Sequence, residues 1–177
     1  MMKEYSSRSA SGKTAEAKKG ASMIHLLFIC HGNICRSPMA EFIMKELVRQ
    51  KGLTGKFLIT SLAATEEETG HDIYPPAQRI LKEKQIPFSH RKARRMTMAD
   101  YDWADYIPVM DEENREDVTR LSGGDRACKT SLLLSWAGED REVSDPWYTG
   151  DFEKAYRDIR KGCEALLEKL APFYTAE

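Results

Sequence analysis

Apolar and polar positions along the chain alternate between short runs typical of β-strands and longer stretches with helical spacing. Short apolar runs at residues 24–30, 56–61 and 104–110 predict three strands. Residues 129–136 predict a fourth strand. The run 24–30 has few polar residues, which is typical of a strand buried on both faces.

The stretches between these runs carry helix signals. Ser37 is a candidate cap and Pro38 a first-turn proline for a helix that follows the first strand. Further helices are predicted at residues 75–86 and 111–121. The last helix has Asp151 as its predicted N-cap, and its apolar residues form one stripe: Phe152, Ala155, Tyr156, Ile159, Cys163, Leu166, Leu167 and Leu170.

Strands that alternate with helices predict an α/β fold, with a parallel sheet covered by helices on both faces. In such sheets ligands bind at the carboxyl ends of the strands, which directs attention to the loop after residue 30. Residues 1–22 contain almost no large apolar side chain, so we expect a flexible leader. A single domain is expected over residues 23–177.

Composition narrows the possible partners. Of 177 residues, 41% are hydrophobic, which suits one globular domain, and the formal net charge of −1 gives no bulk signal for nucleic acid or an anionic membrane. The apolar run Leu26 to Cys30 is too short to cross a bilayer. Four cysteines are too few for a disulfide scaffold. We therefore expect a cytoplasmic protein.

The loop between the first strand and the first helix has the residues of a phosphate site. Cys30 ends the strand and Arg36 starts the helix, so the backbone N–H groups of the intervening His-Gly-Asn-Ile-Cys can converge on an anion. Arg36 can add two parallel hydrogen bonds to phosphate oxygens. Gly32 and Asn33 tolerate the left-handed backbone that such a curl requires.

A thiol in this setting is a candidate nucleophile, because the helix dipole and a guanidinium favour the thiolate of Cys30. A leaving oxygen also needs a proton, and Asp145 in a loop could supply it. Trp147 and Tyr148 follow and could form a wall of the cleft. A module that binds phosphate without chemistry remains an alternative.

A zinc site is not predicted. Cys30 and Cys35 with His25 or His31 would need further ligands at metal spacing, and the sequence has no second pair of this kind.

The chain closely resembles the low-molecular-weight protein tyrosine phosphatases over residues 24–172. The resemblance rests on the segments CHGNICRSPMAE, SHRKARRMT, YIPVMDEEN and DPWY, followed by the terminal amphipathic helix. It implies a four-stranded parallel sheet with helices on both sides and no metal or organic cofactor. It also implies a phosphorylated protein or peptide as substrate, and we expect a monomer or weak dimer.

The resemblance assigns the catalytic roles. Cys30 would form a phosphocysteine intermediate, and Asp145 would protonate the leaving phenolate and then activate the hydrolytic water. Arg36 would bind the phosphoryl oxygens together with the backbone amides of six residues: His31, Gly32, Asn33, Ile34, Cys35 and Arg36 itself.

The resemblance also assigns supporting roles. Ser37 would hydrogen-bond the sulfur of Cys30, and Asn33 would hold the loop through contacts with Ser61 and His90. Cys35 resembles a second cysteine that can trap the nucleophile as a reversible disulfide.

Single sequence features distinguish this chain from relatives that catalyse other reactions. Arsenate-reducing relatives need further cysteines near the middle of the chain, and residues 62–127 contain none. Relatives that act on phosphoarginine carry Thr where this chain has Ile34, so Ile34 favours phosphotyrosine and leaves phosphoarginine as the alternative. Glu66, Glu67 and Glu68 are expected at the cleft rim, where they would disfavour acidic phosphopeptides.

Overall fold

The computed structural model describes residues 23–175, and the predicted leader, residues 1–22, lies outside them. A four-stranded parallel sheet forms the centre, in the order β2-β1-β3-β4. β1 and β2 pair along their whole length, from Ile24 with Phe57 to Cys30 with Ala63. The strands are β1 (Ile24–Cys30), β2 (Phe57–Ala63), β3 (Ile107–Val109) and β4 (Thr130–Leu132).

Helices follow each strand and cover both faces of the sheet, so the predicted α/β fold is confirmed. They are α1 (Arg36–Gln50), α2 (Pro75–Glu83), α3 (Met98–Trp103), α4 (Glu112–Leu121), α5 (Pro146–Thr149), α6 (Phe152–Leu170) and α7 (Pro172–Thr175). Short 3₁₀ turns lie at Thr54–Lys56 and Leu133–Ala137. Within the described part of the chain, none of these helices has the length and apolar character needed to span a bilayer.

Side chains of β1 alternate between two apolar cores. Leu26, Phe28 and Cys30 belong to the core shared with α1 and α6, whereas Leu27 and Ile29 belong to the core shared with α3 and α4. A central parallel strand is buried on both faces, which explains the nearly continuous apolar run. Cys30 therefore lies at the carboxyl end of a buried central strand.

The predicted boundaries differ from the structure where local contacts decide. The predicted fourth strand ends at Leu132 because the chain turns into a 3₁₀ helix that stops at Gly138, whose φ is 76°. The short helix α3 was not predicted, although Thr97 and Asp100 form a capping box at its start.

The N-cap of α1 also differs from the prediction. Cys35, not Ser37, occupies the N-cap position, and Ser37 lies within the first turn. Its hydroxyl contacts the preceding loop instead of capping the helix.

Candidate active site

The loop between β1 and α1 brings Cys30 to the first turn of α1. The Cys30 side chain is buried, and its Sγ lies 3.1 Å from Ser37 Oγ. The backbone N–H of Asn33 donates to the same sulfur at 3.3 Å. The thiol donates to Ser37 Oγ and accepts from Asn33, so the hydroxyl can turn to donate to the sulfur when the thiol proton is absent.

Asn33 holds this loop in shape. Its φ is 58°, in the left-handed region that Asn tolerates better than most residues. Its Nδ2 donates to Ser37 Oγ at 2.8 Å and to Ser61 Oγ at 3.0 Å. Ser61 in turn donates to Glu41 at 2.7 Å. The expected contact with Ser61 is thus present, within a buried network that links the loop, α1 and β2.

The expected contact of Asn33 with His90 is wrong. His90 is exposed and its Nδ1 lies 2.5 Å from Asp72 Oδ2. Its neighbour Arg91 reaches the loop, donating to the carbonyl oxygen of Asn33 at 2.7 Å and to its side-chain oxygen. The arginine side chain is long enough to reach the β1–α1 loop, and its guanidinium offers one N–H donor to each of the two oxygen acceptors of Asn33.

The expected left-handed backbone at Gly32 is also wrong, since only Asn33 has a positive φ in this loop. Gly32 is needed for space: a Cβ there would lie 2.9 Å from Cγ of Glu68. The glycine therefore lets the loop that carries Glu68 approach the β1–α1 loop closely.

Arg36 is buried and donates to groups from distant parts of the chain. NH1 donates to Asp111 Oδ2 and to the carbonyl oxygen of Val143, both at 2.8 Å. NH2 donates to Asp145 Oδ2 at 3.2 Å. Burial alone would lower the pKa of Arg36, but the negative charges of Cys30, Asp145 and Asp111 outweigh burial and raise it. The guanidinium is thus a fixed positive charge beside the thiol.

The sequence reasoning missed Asp111. This residue caps α4, where it accepts from the backbone N–H of Asn114 at 2.8 Å. Its position directly after β3 was a usable signal, because the carboxyl ends of parallel strands meet at one edge of the sheet.

Asp145 faces Arg36 from the start of α5. Its Oδ1 accepts from the backbone N–H of Trp147 at 3.0 Å, which leaves Oδ2 directed towards Arg36. Beyond it, the Trp147 side chain is about half exposed and Tyr148 more so. These two aromatic residues border the same cleft as Cys30 and Asp145.

The cleft has a volume of about 200 Å³ and opens above the β1–α1 loop. It unites the predicted nucleophile, acid and aromatic wall with most of the predicted phosphate loop and with Glu67 and Glu68 of the predicted rim. Glu66 of that rim lies beside Arg95 instead. Its lining consists of Cys30, His31, Gly32, Ile34, Cys35, Arg36, Glu67, Glu68, Asp145, Trp147 and Tyr148.

The two cysteines of the loop differ in chemistry. Both are free thiols. Burial raises the pKa of Cys35, and the charges of Cys30 and Asp145 raise it further. Cys35 therefore stays a protonated thiol at neutral pH. Its role as a disulfide partner of Cys30 stays a prediction.

His31 links the rim to α4. Its Nε2 lies 2.7 Å from Glu67 Oε2, and its Nδ1 lies 4.0 Å from Glu113 Oε1. Burial alone would lower the pKa of His31, but the hydrogen bond and charge of Glu67, with Glu113 and Asp117, raise it. His31, Glu113 and Asp117 could also offer three ligand atoms to a cation, but Glu113 is exposed and Asp117 already pairs with Arg120.

Comparison with known proteins gives consistent matches. The sequence model of the family described as low molecular weight phosphotyrosine protein phosphatase matches residues 25–173. The low molecular weight protein-tyrosine-phosphatase YfkJ of Bacillus subtilis is 38% identical over 150 residues, covering 84% of this chain and 96% of YfkJ. The human low molecular weight phosphotyrosine protein phosphatase is 36% identical, covering 81% of this chain and 94% of the human protein.

Solved structures agree with the sequence matches. The crystal structure of YfkJ has a TM-score of 0.84, with 37% identity, and the match covers 88% of this chain and 99% of YfkJ. Wzb from Vibrio vulnificus, solved in complex with benzylphosphonate, has a TM-score of 0.73 and 27% identity, and the match covers 84% of this chain and 99% of that one.

Proposed function

The chain belongs to the low molecular weight phosphotyrosine protein phosphatase family and is a protein-tyrosine phosphatase, and from this premise we propose that Cys30 is its nucleophile. Arg36 binds the transferred phosphoryl group, and Asp145 is the general acid and base. Phosphorylated proteins are the substrates.

One observation carries this assignment: a thiol, a guanidinium and a carboxylate from separate segments border one cleft. Cys30 and Arg36 come from the two ends of the β1–α1 loop, and Asp145 lies more than 100 residues along the chain. Arg36 NH2 contacts Asp145 at 3.2 Å. Nucleophile, anion binder and acid are the groups that cleavage of a phosphate monoester through a covalent intermediate requires.

In the first step the Cys30 thiolate attacks phosphorus, and the bond from phosphorus to the tyrosine oxygen breaks. Protonated Asp145 gives its proton to that oxygen, so tyrosine leaves as a neutral phenol. NH1 of Arg36 is fixed by Asp111 and Val143, so we assign NH2, which has the longer contact, to the phosphoryl oxygens. Binding of phosphate then frees the Asp145 carboxyl for the leaving oxygen.

In the second step water attacks the phosphocysteine, and the bond from phosphorus to sulfur breaks. Asp145, now a carboxylate, takes a proton from the water. The Asn33 N–H donates to the departing thiolate, and the Ser37 hydroxyl, 3.1 Å from the sulfur, turns to donate to it as well.

The walls of the cleft favour an aryl phosphate. Trp147 and Tyr148 offer aromatic surface to a phenyl ring, and Ile34 adds an apolar contact. The Vibrio vulnificus relative binds benzylphosphonate, whose aromatic ring and phosphonate resemble phosphotyrosine. We therefore rank phosphotyrosine above phosphoarginine as the substrate.

Two peptides of one sequence, carrying phosphotyrosine or phosphoarginine, test the assignment with wild type and Cys30→Ser. We expect wild type to hydrolyse the phosphotyrosine peptide faster, and the variant to lose at least about 10⁴-fold in kcat. Cys163→Ser, a buried cysteine away from the cleft, is the control for replacing a thiol. Unchanged turnover by Cys30→Ser would exclude the nucleophile, and faster release from phosphoarginine would reverse the ranking.

The cytoplasmic location and the state of monomer or weak dimer stay predictions. Size-exclusion chromatography with light scattering, across a range of concentrations, tests the second of them.

A further inference from the structure

A second hollow, of about 410 Å³, adjoins the catalytic cleft. The two cavities share Ile34, Glu68 and Trp147 as lining residues. Trp147 is 51% exposed, so its ring presents apolar surface at the boundary. A peptide bound in the cleft therefore passes this hollow on its way along the protein surface.

The walls of the hollow are mainly apolar. Ile73, Tyr74 and Pro75 complete the surface that Ile34 and Trp147 begin. The ring of Tyr74 packs 4.9 Å from the ring of Trp147, centroid to centroid, so the two aromatic residues form a continuous wall. Apolar surface open to water beside a binding cleft favours an apolar ligand group.

The polar side chains at the edge of the hollow already have protein partners. Glu68 Oε2 lies 2.6 Å from His71 Nδ1, and Gln78 donates to the carbonyl oxygen of Ile73 at 2.6 Å. Asp72 accepts from the backbone N–H groups of Ile73 and Arg91. A ligand side chain would therefore meet mainly the apolar walls of the hollow.

We propose that this hollow binds an apolar side chain of the phosphoprotein substrate, within two positions of the phosphotyrosine. The inference rests on the proposed function, because phosphotyrosine in the cleft is what brings the peptide to Trp147. Successive residues of an extended peptide advance about 3.3 Å each, so a residue two positions away can reach past one aromatic ring. Partial burial of a leucine side chain corresponds to about a tenfold gain in kcat/KM.

A peptide series identifies the preferred position. The parent peptide carries phosphotyrosine between glycines, and four derivatives place Leu two or one positions before or after it. We expect one derivative to have a kcat/KM about ten times that of the parent with wild-type enzyme. For each enzyme variant, kcat/KM for the leucine peptide is divided by kcat/KM for the parent peptide. General changes in activity cancel in this ratio.

Pro75→Asp tests the hollow directly. Pro75 is the first residue of α2, where an acidic residue is compatible with the helix dipole. A carboxylate there should reduce the leucine preference to about twofold or less, and should favour Lys at the same peptide position. Pro76→Asp is the matched control, because Pro76 lies in the same first turn outside the lining of the hollow. This control should keep the leucine preference.

The outcomes separate two failures. Hydrolysis of the series without a leucine preference, or a preference that survives Pro75→Asp, would overturn the hollow as a subsite and leave the phosphatase assignment intact. Loss of the preference in both variants would also overturn it, since the effect would not be specific to the lining. Failure of wild type to hydrolyse any peptide would overturn the proposed substrate, and the subsite with it.

Discussion

The two walls of the catalytic cleft are built differently. The β1–α1 loop is largely buried, and its Asn33 side chain donates to Ser37 of α1 and Ser61 of β2. The opposite wall consists of exposed side chains, chiefly Trp147, Tyr148 and those of the acidic rim. On the buried wall the residues proposed to act in catalysis also stabilise the fold, whereas we expect changes on the exposed wall to alter function at little cost in stability.

Arg36 should show the largest combined effect on activity and stability, because it belongs to the buried wall and its side chain reaches Asp145 on the other wall. Arg36→Lys keeps the charge but loses the planar set of donors to Asp111, Val143 and Asp145. We expect kcat/KM for p-nitrophenyl phosphate to fall by about 10³-fold. Urea unfolding should show a loss of about 1–3 kcal/mol, from buried acceptors left without a partner.

Arg95→Lys is the control for this exchange, since Arg95 is exposed and its contact to Glu66 is 3.6 Å. If Arg36→Lys cost no more than this control, in activity or in unfolding free energy, the buried wall would not have the double role assigned to it.

Substitution of Asp145 should reduce activity strongly and stability only slightly. Asp145→Ala removes the proposed acid, so kcat should fall by about 10²–10⁴-fold for phosphotyrosine peptide. The fall should be smaller for p-nitrophenyl phosphate, whose leaving group needs less protonation. The lost cap of the short helix α5 should cost about 1 kcal/mol or less in unfolding free energy. An equal loss for both substrates would contradict the role of general acid.

Substitutions of Asn33 test whether its backbone conformation or its side-chain hydrogen bonds stabilise the buried wall. Asn33→Ala loses the hydrogen bonds to Ser37 and Ser61 and keeps an unfavourable φ of 58°. We expect a loss of about 2–4 kcal/mol in unfolding free energy by urea titration. Asn33→Gly relieves the backbone and should be about 1 kcal/mol more stable than Asn33→Ala. Equal stability of the two variants would show that the φ of Asn33 is not strained.

The same contrast explains what the sequence could predict. The strand, loop and helix around Cys30 follow from contiguous residues, because an apolar run and helical spacing are local signals. The pairing of Asp111 with Arg36 joins residues that are 75 positions apart, so no local signal predicts it.

Contacts between distant segments were beyond these signals. Whether His90 or Arg91 reaches Asn33 depends on how the segment before Arg95 lies against the end of β2, where Arg95 bridges Ala63. The need for Gly32 arises from Glu68, which belongs to another loop. Sequence spacing gives neither distance, so Gly32 was predicted for the wrong reason and Arg91 was missed.

The smallest expected effect is on the pH dependence of stability, and it tests the contact between His31 and Glu67 at the exposed rim. The pKa of His31 is raised in the folded protein, chiefly because Glu67 outweighs burial, so folding favours protonated His31. The resulting stability is present in full below about pH 6.5 and is lost as pH rises through the raised value. Both side chains are partly exposed, so Glu67→Gln should cost about 0.5 kcal/mol at pH 5.5 and almost nothing at pH 8.5. Urea unfolding at both pH values measures this, with Glu66→Gln as the control because Glu66 pairs with Arg95 instead. Should the two variants show the same pH dependence, His31 would not be tied to Glu67, and the rim would be a solvated surface with no link to the β1–α1 loop.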